Sequence, residues 1–350
     1  MEYYCGIDLH SKKSTFCVLD EEGEKVALKE LRNDKEKILA FLLPWGPDLS
    51  CVVESTFNWY WLVDALEEEG YDVKLAHSYG LRLISGSKYK SDKRDAERLA
   101  RLLRLGEIPE GYIYPKELRP LRDLMRQRTS LVRQRGGLRA SLRNTLSRYN
   151  LEAKREELEG FDPASRVASL PLPPEVQQDL AMRLERIDLI GCQTRRTEDY
   201  LIGRAQPEPF FQALKAMPGI ANILALTIYY EMGDPTRFPS ARSFVSYCRL
   251  VPSTAESAGK VKKGAGSKQG NPWLKWAFTQ AAMGAARHHA GMRAFRDRQA
   301  KKRGGGGKAN LIANSILAHK LACAVWHMAV EGVAFDEERI TGGGHAGHLT

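Results

Sequence analysis

Apolar residues in positions 1–110 fall into two rhythms. Residues 3–9, 14–20 and 25–31 are short apolar-rich runs parted by turn residues, which predicts three strands joined as an antiparallel meander. The spacing then changes to threes and fours over 34–43 and again over 59–69, predicting helices. Strands are expected at 49–54 and from Asp72.

Three strands followed by helix, strand, helix, strand and helix is the element order of a ribonuclease H-like α/β domain. Beyond it the pattern is helical. Leu118, Leu121, Leu124, Leu131, Leu138, Leu142 and Leu146 recur at helical spacing, marking a long amphipathic helix over 115–150 with an arginine-rich back, which Gly136 and Gly137 are placed to bend. A second long helix is expected over 174–203. The pair forms either an antiparallel hairpin or an intermolecular coiled coil, and such an arm can be a spacer, a dimer contact or a nucleic-acid clamp. Further helices are expected over 208–216, 220–232, 241–248, 272–288, 292–302 and 309–331, with a flexible basic glycine loop at 301–308 and a poorly ordered tail after Phe335. The organisation predicted is an α/β domain (1–110), a helical coiled-coil arm (111–205), a mostly α-helical domain (206–335) and a flexible tail (336–350).

Charge sharpens this picture because it is segregated. The net charge is +10, yet 116–148 carries ten basic residues against two acidic ones and 260–308 carries thirteen against Asp297 alone, so the rest of the chain is acidic. Such segregation suits surfaces that meet a polyanion, because each neutralised phosphate releases counterions. The plainer reading is solvated helix faces. No apolar run approaches the roughly 18 residues needed to cross a bilayer, and the opening residues lack a signal-peptide layout. A cytoplasmic protein without membrane contact is expected. The six cysteines show no paired spacing and are expected to be reduced and mostly buried.

Four acids carry candidate chemistry. Asp8 closes the first strand and Glu54 a later one, while Asp92 and Asp95 stand three apart at a helix start, on one face beside the positive end of the dipole. Singly, Asp92 reads as a helix cap, Asp95 as a surface acid and Glu54 as a strand-end acid. Jointly they are the hard oxygen donors that Mg²⁺ or Mn²⁺ prefers, and two such ions about 4 Å apart serve both oxygens of a phosphodiester exchange. Glu97 faces elsewhere. The turn at 217–221 is either an anion site before a helix or an ordinary interhelix turn. Trp273, Trp276 and Phe278 stack on bases or pack in the core, and His288, His289 and His319 match no metal spacing and are structural or phosphate-facing.

With these residues in place the chain resembles the DEDD transposases of insertion sequences, also called bridge-RNA-guided recombinases and related to a pilin-gene invertase. The resemblance spans nearly the whole chain. It rests on Asp8, Glu54 and the 90–96 run containing Asp92 and Asp95, and on the Leu-Val-Pro at 250–252, the turn about Ser257 and the 267–274 run. It implies a RuvC-like amino-terminal domain whose four carboxylates are catalytic metal ligands. It also implies that Ser257 is a nucleophile forming a phosphoserine link to DNA, served by the carboxylate site of a partner protomer. Glu256 and Ala258 depart from the family's double serine and double glycine, so Ser257 is the matching serine and Ser253 the fallback. Homodimers or homotetramers acting on double-stranded donor and target DNA, selected by a structured noncoding bridge RNA, are implied as well.

Nucleic-acid contacts are expected from Lys88, Lys90, Arg126, Arg133, Arg135, Arg139, Lys260, Lys262, Lys263 and Lys268, with Gly259, Gly264 and Gly266 allowing close backbone approach. Two other readings compete. A Holliday-junction-type nuclease uses water at the metal site and leaves the basic second half unexplained. A non-catalytic nucleic-acid-binding descendant requires a missing acid, whereas all four are present.

Overall fold

The three apolar runs form β1 (Tyr3–Leu9), β2 (Lys13–Leu19) and β3 (Lys25–Arg32), paired antiparallel in sequence order. This computed structural model describes residues 2–84, 91–152, 163–251, 254–257, 260–263 and 269–341. Helix α1 (Lys35–Leu42) starts at Asp34, whose carboxylate accepts from the Lys37 amide and so satisfies a donor the helix cannot. Then follow β4 (Leu49–Glu54), α2 (Tyr60–Glu68), β5 (Asp72–Ala76), α3 (Ser78–Ile84), α4 (Asp92–Arg104) and the short β6 (Glu110–Gly111). The sheet order is β3-β2-β1-β4-β5-β6, with β4 parallel to β1 and to β5. The meander and the alternation of strand and helix are as the pattern predicts; α3 and β6 are additions.

Period-two alternation divides this sheet. Cys5, Ile7 and Leu9 of β1 and Cys51 and Val53 of β4 join Leu62 and Leu66 of α2 in one core. On the opposite face Cys17 and Leu19 meet Ala96 and Ala100, and Val52 meets Leu99 and Leu103, so α4 covers the face to which Gly6, Asp8 and Glu54 belong.

The chain makes two compact units, Met1–Lys116 and Glu117–Thr350. In the second, α5 (Arg119–Arg148) runs unbroken through Gly136 and Gly137 as one helix. After α6 (Pro163–Ala168) comes α7 (Pro174–Ala205), which lies antiparallel to α5. Arg128 pairs with Glu198 near one end, and Arg183 donates to Ser141 and Thr145 toward the other. Leu142, Leu146, Leu180, Leu184 and Ile187 form the hairpin's own core, while Met125, Leu201 and Ala205 at its base belong to the main core of the unit.

That core is built by α8 (Pro209–Lys215), α9 (Asn222–Met232), α10 (Ala241–Tyr247), α11 (Pro272–His288), α12 (Ala290–Lys301) and α13 (Gly306–Glu331). Between α10 and α11 lie β7 (Thr254–Ser257) and β8 (Lys260–Lys263), an antiparallel hairpin where the sequence suggested a turn. Two expectations need correction. The 301–308 loop is shorter than expected, since α12 reaches Lys301 and α13 begins at Gly306, leaving a turn in which Gly304 and Gly305 take positive φ. The tail after Phe335 contains α14 (Glu337–Thr341), held by buried Ile340 and by Arg298 donating to the Thr341 carbonyl; 342–350 lie outside the described residues.

Gly219 explains the 217–221 turn. Its φ is +79°, and a Cβ there would stand 2.2 Å from the Ala281 carbonyl oxygen, so the turn exists to let the chain touch α11. Of the cysteines, Cys5, Cys17, Cys51 and Cys248 are buried, Cys323 is half-buried and Cys192 is exposed, all as free thiols.

Candidate metal centre and serine hairpin

Parallel pairing brings the first two acids together. Ile7 is opposite Val53, so the next residues along the two strands, Asp8 and Glu54, stand side by side at the carboxyl ends and share the α4 face. Asp92 and Asp95 arrive in the first turn of α4, whose N-cap Ser91 accepts from the Arg94 amide. Gly6 permits this approach: a Cβ at that position would lie 2.0 Å from the Ala96 carbonyl oxygen and 2.4 Å from the Ala100 nitrogen. Any side chain there would push α4, and with it two of the four acids, away from β1.

Asp8 is 6% exposed. Burial is the main cause that raises its pKa to about 6; His10 opposes the shift, and Asp92, Asp95 and Glu54 add to it. Asp92, Asp95 and Glu54 are therefore each within electrostatic reach of Asp8, while Asp95 also pairs with Arg98 at 3.3 Å. Glu97 points away, bound by Lys25 and Arg101.

Sequence reasoning missed His10. Its Nε2 lies 3.2 Å from Asp8 Oδ2 and 3.4 Å from Asp92 Oδ2, and the three residues form a group whose ligand atoms fall within 4.8 Å of one another. The turn that carries it is pinned, because the Asn33 and Asn58 amides both donate to the His10 carbonyl, at 2.8 and 3.0 Å. The signal was its position two residues after Asp8, but a lone histidine has no spacing to read. Carboxylates crowded at a buried strand end are what a divalent cation relieves, so the donor set fits a hard metal ion.

In the second unit Ser257 ends β7 opposite Lys260, while Ala255 faces Lys262 and Thr254 faces Lys263. Thus Ser257 and three of the expected phosphate-binding lysines share one small hairpin. Lys88, Lys90, Lys268, Ser253, Gly259, Gly264 and Gly266 lie outside the described residues.

The arm arginines divide by environment. Arg126 makes a two-pronged pair with buried Glu231, at 2.6 and 2.8 Å, and also lies over the Trp273 ring. Exposed Arg133 stacks on the same ring, with 5.1 Å from guanidinium carbon to centroid. Arg135 and Arg139 are half-buried, Arg135 lying against Gly191 of α7. Arg143 and Arg148, further along, are exposed, as are Lys301, Lys302, Arg303 and Lys308 about the α12–α13 turn. Phe278 is fully buried and Trp276 packs on the same core. His319 is structural: burial lowers its pKa, against a hydrogen bond to the Leu250 backbone. Among the described residues no helix is long and apolar enough to cross a membrane.

Both halves of the chain are similar in sequence to known proteins. Residues 5–151 match a family of DEDD transposases of the IS110 type, and residues 211–297 match the transposase IS116/IS110/IS902 family. The chain is 25% identical over 344 residues to the transposase for insertion sequence element IS1328 of Yersinia enterocolitica, covering 95% of this chain and 98% of that one. It is 24% identical over 290 residues to the transposase for insertion sequence element IS1111A of Coxiella burnetii, covering 81% and 78%. The first match contains all four acids and the second contains Ser257, in the same order along one chain, and the protein accordingly belongs to the IS110-type DEDD transposases, enzymes of DNA transposition.

Proposed function

We propose that this transposase cuts and rejoins double-stranded donor and target DNA through a phosphoserine link at Ser257, as a homodimer or homotetramer guided by a structured bridge RNA. Its first unit is read as RuvC-like, with Asp8, Glu54, Asp92 and Asp95 holding Mg²⁺ or Mn²⁺. The observation that supports the reading is the grouping of Asp8 with His10 and Asp92, whose ligand atoms lie within 4.8 Å of one another, with Glu54 beside Asp8 across parallel β1 and β4 and Asp95 in the same first turn of α4 as Asp92.

Asp8, Glu54, Asp92 and Asp95 would hold a divalent cation, which would supply Lewis-acid polarisation of a phosphoryl oxygen and ease loss of the attacking hydroxyl's proton. The Ser257 oxygen then bonds to phosphorus as the bond to a deoxyribose oxygen breaks, and that oxygen leaves with a proton. Because one phosphoester replaces another, the link retains the energy needed for rejoining. Attack by a hydroxyl of another strand reverses the step and frees the serine. His10, turned toward Asp8 and Asp92, supports the carboxylate cluster, and the lysines of β8 supply charge on the hairpin that carries the nucleophile. The sequence resemblance supports pairing the serine of one protomer with the carboxylates of another.

A denaturing gel for protein joined to labelled DNA tests this. With Mg²⁺, the adjacent noncoding RNA and matching duplexes, the wild type yields an adduct that Ser257→Ala abolishes. Cleavage without an adduct, unchanged in Ser257→Ala, instead establishes the Holliday-junction-type nuclease that uses water. An adduct formed equally well without RNA removes the guide.

A further inference from the structure

Chain entering the Ser257 hairpin and chain leaving it are tied at one point. On the entry side Arg249 has a φ of +57°, a conformation that costs a non-glycine residue energy and persists only where the surroundings impose it. Its Nε donates to the carbonyls of Gln269 and Gly270 on the exit side, at 3.0 and 2.9 Å. The Asn271 amide returns a bond to the Tyr247 carbonyl at 2.6 Å. Gly270 has a φ of +92°, and a Cβ there would meet the Tyr247 oxygen at 2.3 Å. Residues 249 and 270 are thus the closed neck of a segment that holds both hairpin strands.

Beneath the neck sits a buried charge. Glu231, at the end of α9, is 2% exposed. One of its oxygens accepts from Arg126 Nε, the other from Arg126 Nη2 and from Asn271 Nδ2 at 2.8 Å. Asn271 is also the N-cap of α11, its side-chain oxygen accepting from the Trp273 and Leu274 amides. A single carboxylate therefore links the arm helix α5, helix α9 and the exit side of the neck, while Arg126 and Arg133 lie over Trp273 just beyond, in the first turn of α11. Glu231 is buried whereas Arg126 is 36% exposed, and burying a carboxylate is an expensive way to gain stability alone, so the contact is more readily understood as imposing one specific arrangement.

We propose that Glu231, with Arg126 and Asn271, is a positioning cluster that fixes the neck of the Ser257 hairpin to the helical arm, so that nucleophile placement depends on this buried contact. The proposal rests on Ser257 being the nucleophile. None of the three residues is assigned contact with the reacting atoms; each acts through the backbone at Arg249, Gly270 and Asn271.

The test uses the full-length protein with its RNA, matching duplexes and Mg²⁺, measuring the first-turnover rate of adduct formation against DNA concentration. Glu231→Gln keeps the shape but loses the charge. Asn271→Ser keeps a good helix cap but loses the amide that reaches Glu231. Both are expected to lower the rate at saturating DNA by about tenfold or more while leaving half-saturation within about twofold, the pattern of lost orientation rather than lost binding. Amide exchange at Leu250 and Asn271 is expected to quicken in both. Arg126→Lys, which keeps charge without the two-pronged geometry, should fall between wild type and Arg126→Met. Adduct rates near wild type in folded Glu231→Gln and Asn271→Ser overturn the proposal, as does a loss confined to half-saturation. If Glu231→Gln fails to fold, Asn271→Ser decides. An adduct that persists in Ser257→Ala removes the nucleophile reading, and the proposal with it, whatever the Glu231 variants do.

Discussion

Asp8 concentrates the energetic conflict of the carboxylate cluster. Burial first, and three neighbouring acids next, raise its pKa to about 6, above the value near 4 of an unfolded aspartate. Ionised Asp8 thus costs the metal-free fold stability above pH 6, and the cost fades as the pH falls from about 6 toward 4, where the folded state holds the proton that the unfolded state has released. A rise of that size corresponds to about 3 kcal/mol. Metal-free Asp8→Asn is accordingly expected to melt higher than wild type at pH 8, by up to about 3 kcal/mol, and to lose most of that advantage at pH 4, while DNA cleavage disappears. A lower melting point at pH 8 would contradict the crowded, buried placement. At Gly6 the expectation is opposite in sign. Gly6→Ala forces a Cβ onto the α4 backbone, so stability should fall by about 3 kcal/mol and divalent-ion affinity, read by calorimetry, should fall with it. The positions of Asp8, Glu54, Asp92 and Asp95 were legible because strand ends and helix starts announce themselves in the pattern. Gly6 was not, since its importance comes from a helix 90 residues later in the chain. His10 stayed hidden for a similar reason, as two asparagines from distant segments aim it.

Elements were read well where one period governed them. The long arm helices follow their leucines, and the antiparallel pairing of α5 with α7 completes a core that neither can bury alone. Fully buried Leu184 lies in that core, and Leu184→Ala should cost about 2–5 kcal/mol locally, seen as faster amide exchange along the arm. Unchanged exchange would mean that the arm is not held together by this cluster. Arginine count overstated the free charge of α5, because Arg126 and Arg128 are spent on Glu231 and Glu198. Phosphate contacts fall more naturally to the exposed Arg143 and Arg148. Replacing both with alanine should reduce the salt dependence of duplex binding by roughly 0.9 log unit per lost contact, measured by titration at several salt concentrations. The β7–β8 hairpin was missed because its strands are short and polar, and four-residue strands leave little alternation to read.

At the scale of the whole molecule the chain is two units, each with its own core, and the candidate metal centre lies wholly within the first. Residues 1–116 expressed alone are therefore expected to unfold cooperatively and to bind Mn²⁺, with a stability gain of about 2.7 kcal/mol at a hundred times the dissociation constant. A fragment that melts without cooperativity or ignores the ion would show that the centre needs more of the chain. The sequence by itself determined the order of elements, the segregation of charge and the placement of four acids at strand ends and a helix start, because each is written in local spacing or residue type. Only the tertiary structure decided that His10 joins Asp8 and Asp92, that Gly6 admits α4, that Arg126 of the arm locks onto Glu231, and that Arg249 and Asn271 close the neck of the serine hairpin. Those outcomes turn on residues far apart in the chain meeting within hydrogen-bond range, and local periodicity holds no information about which distant partner a side chain will find.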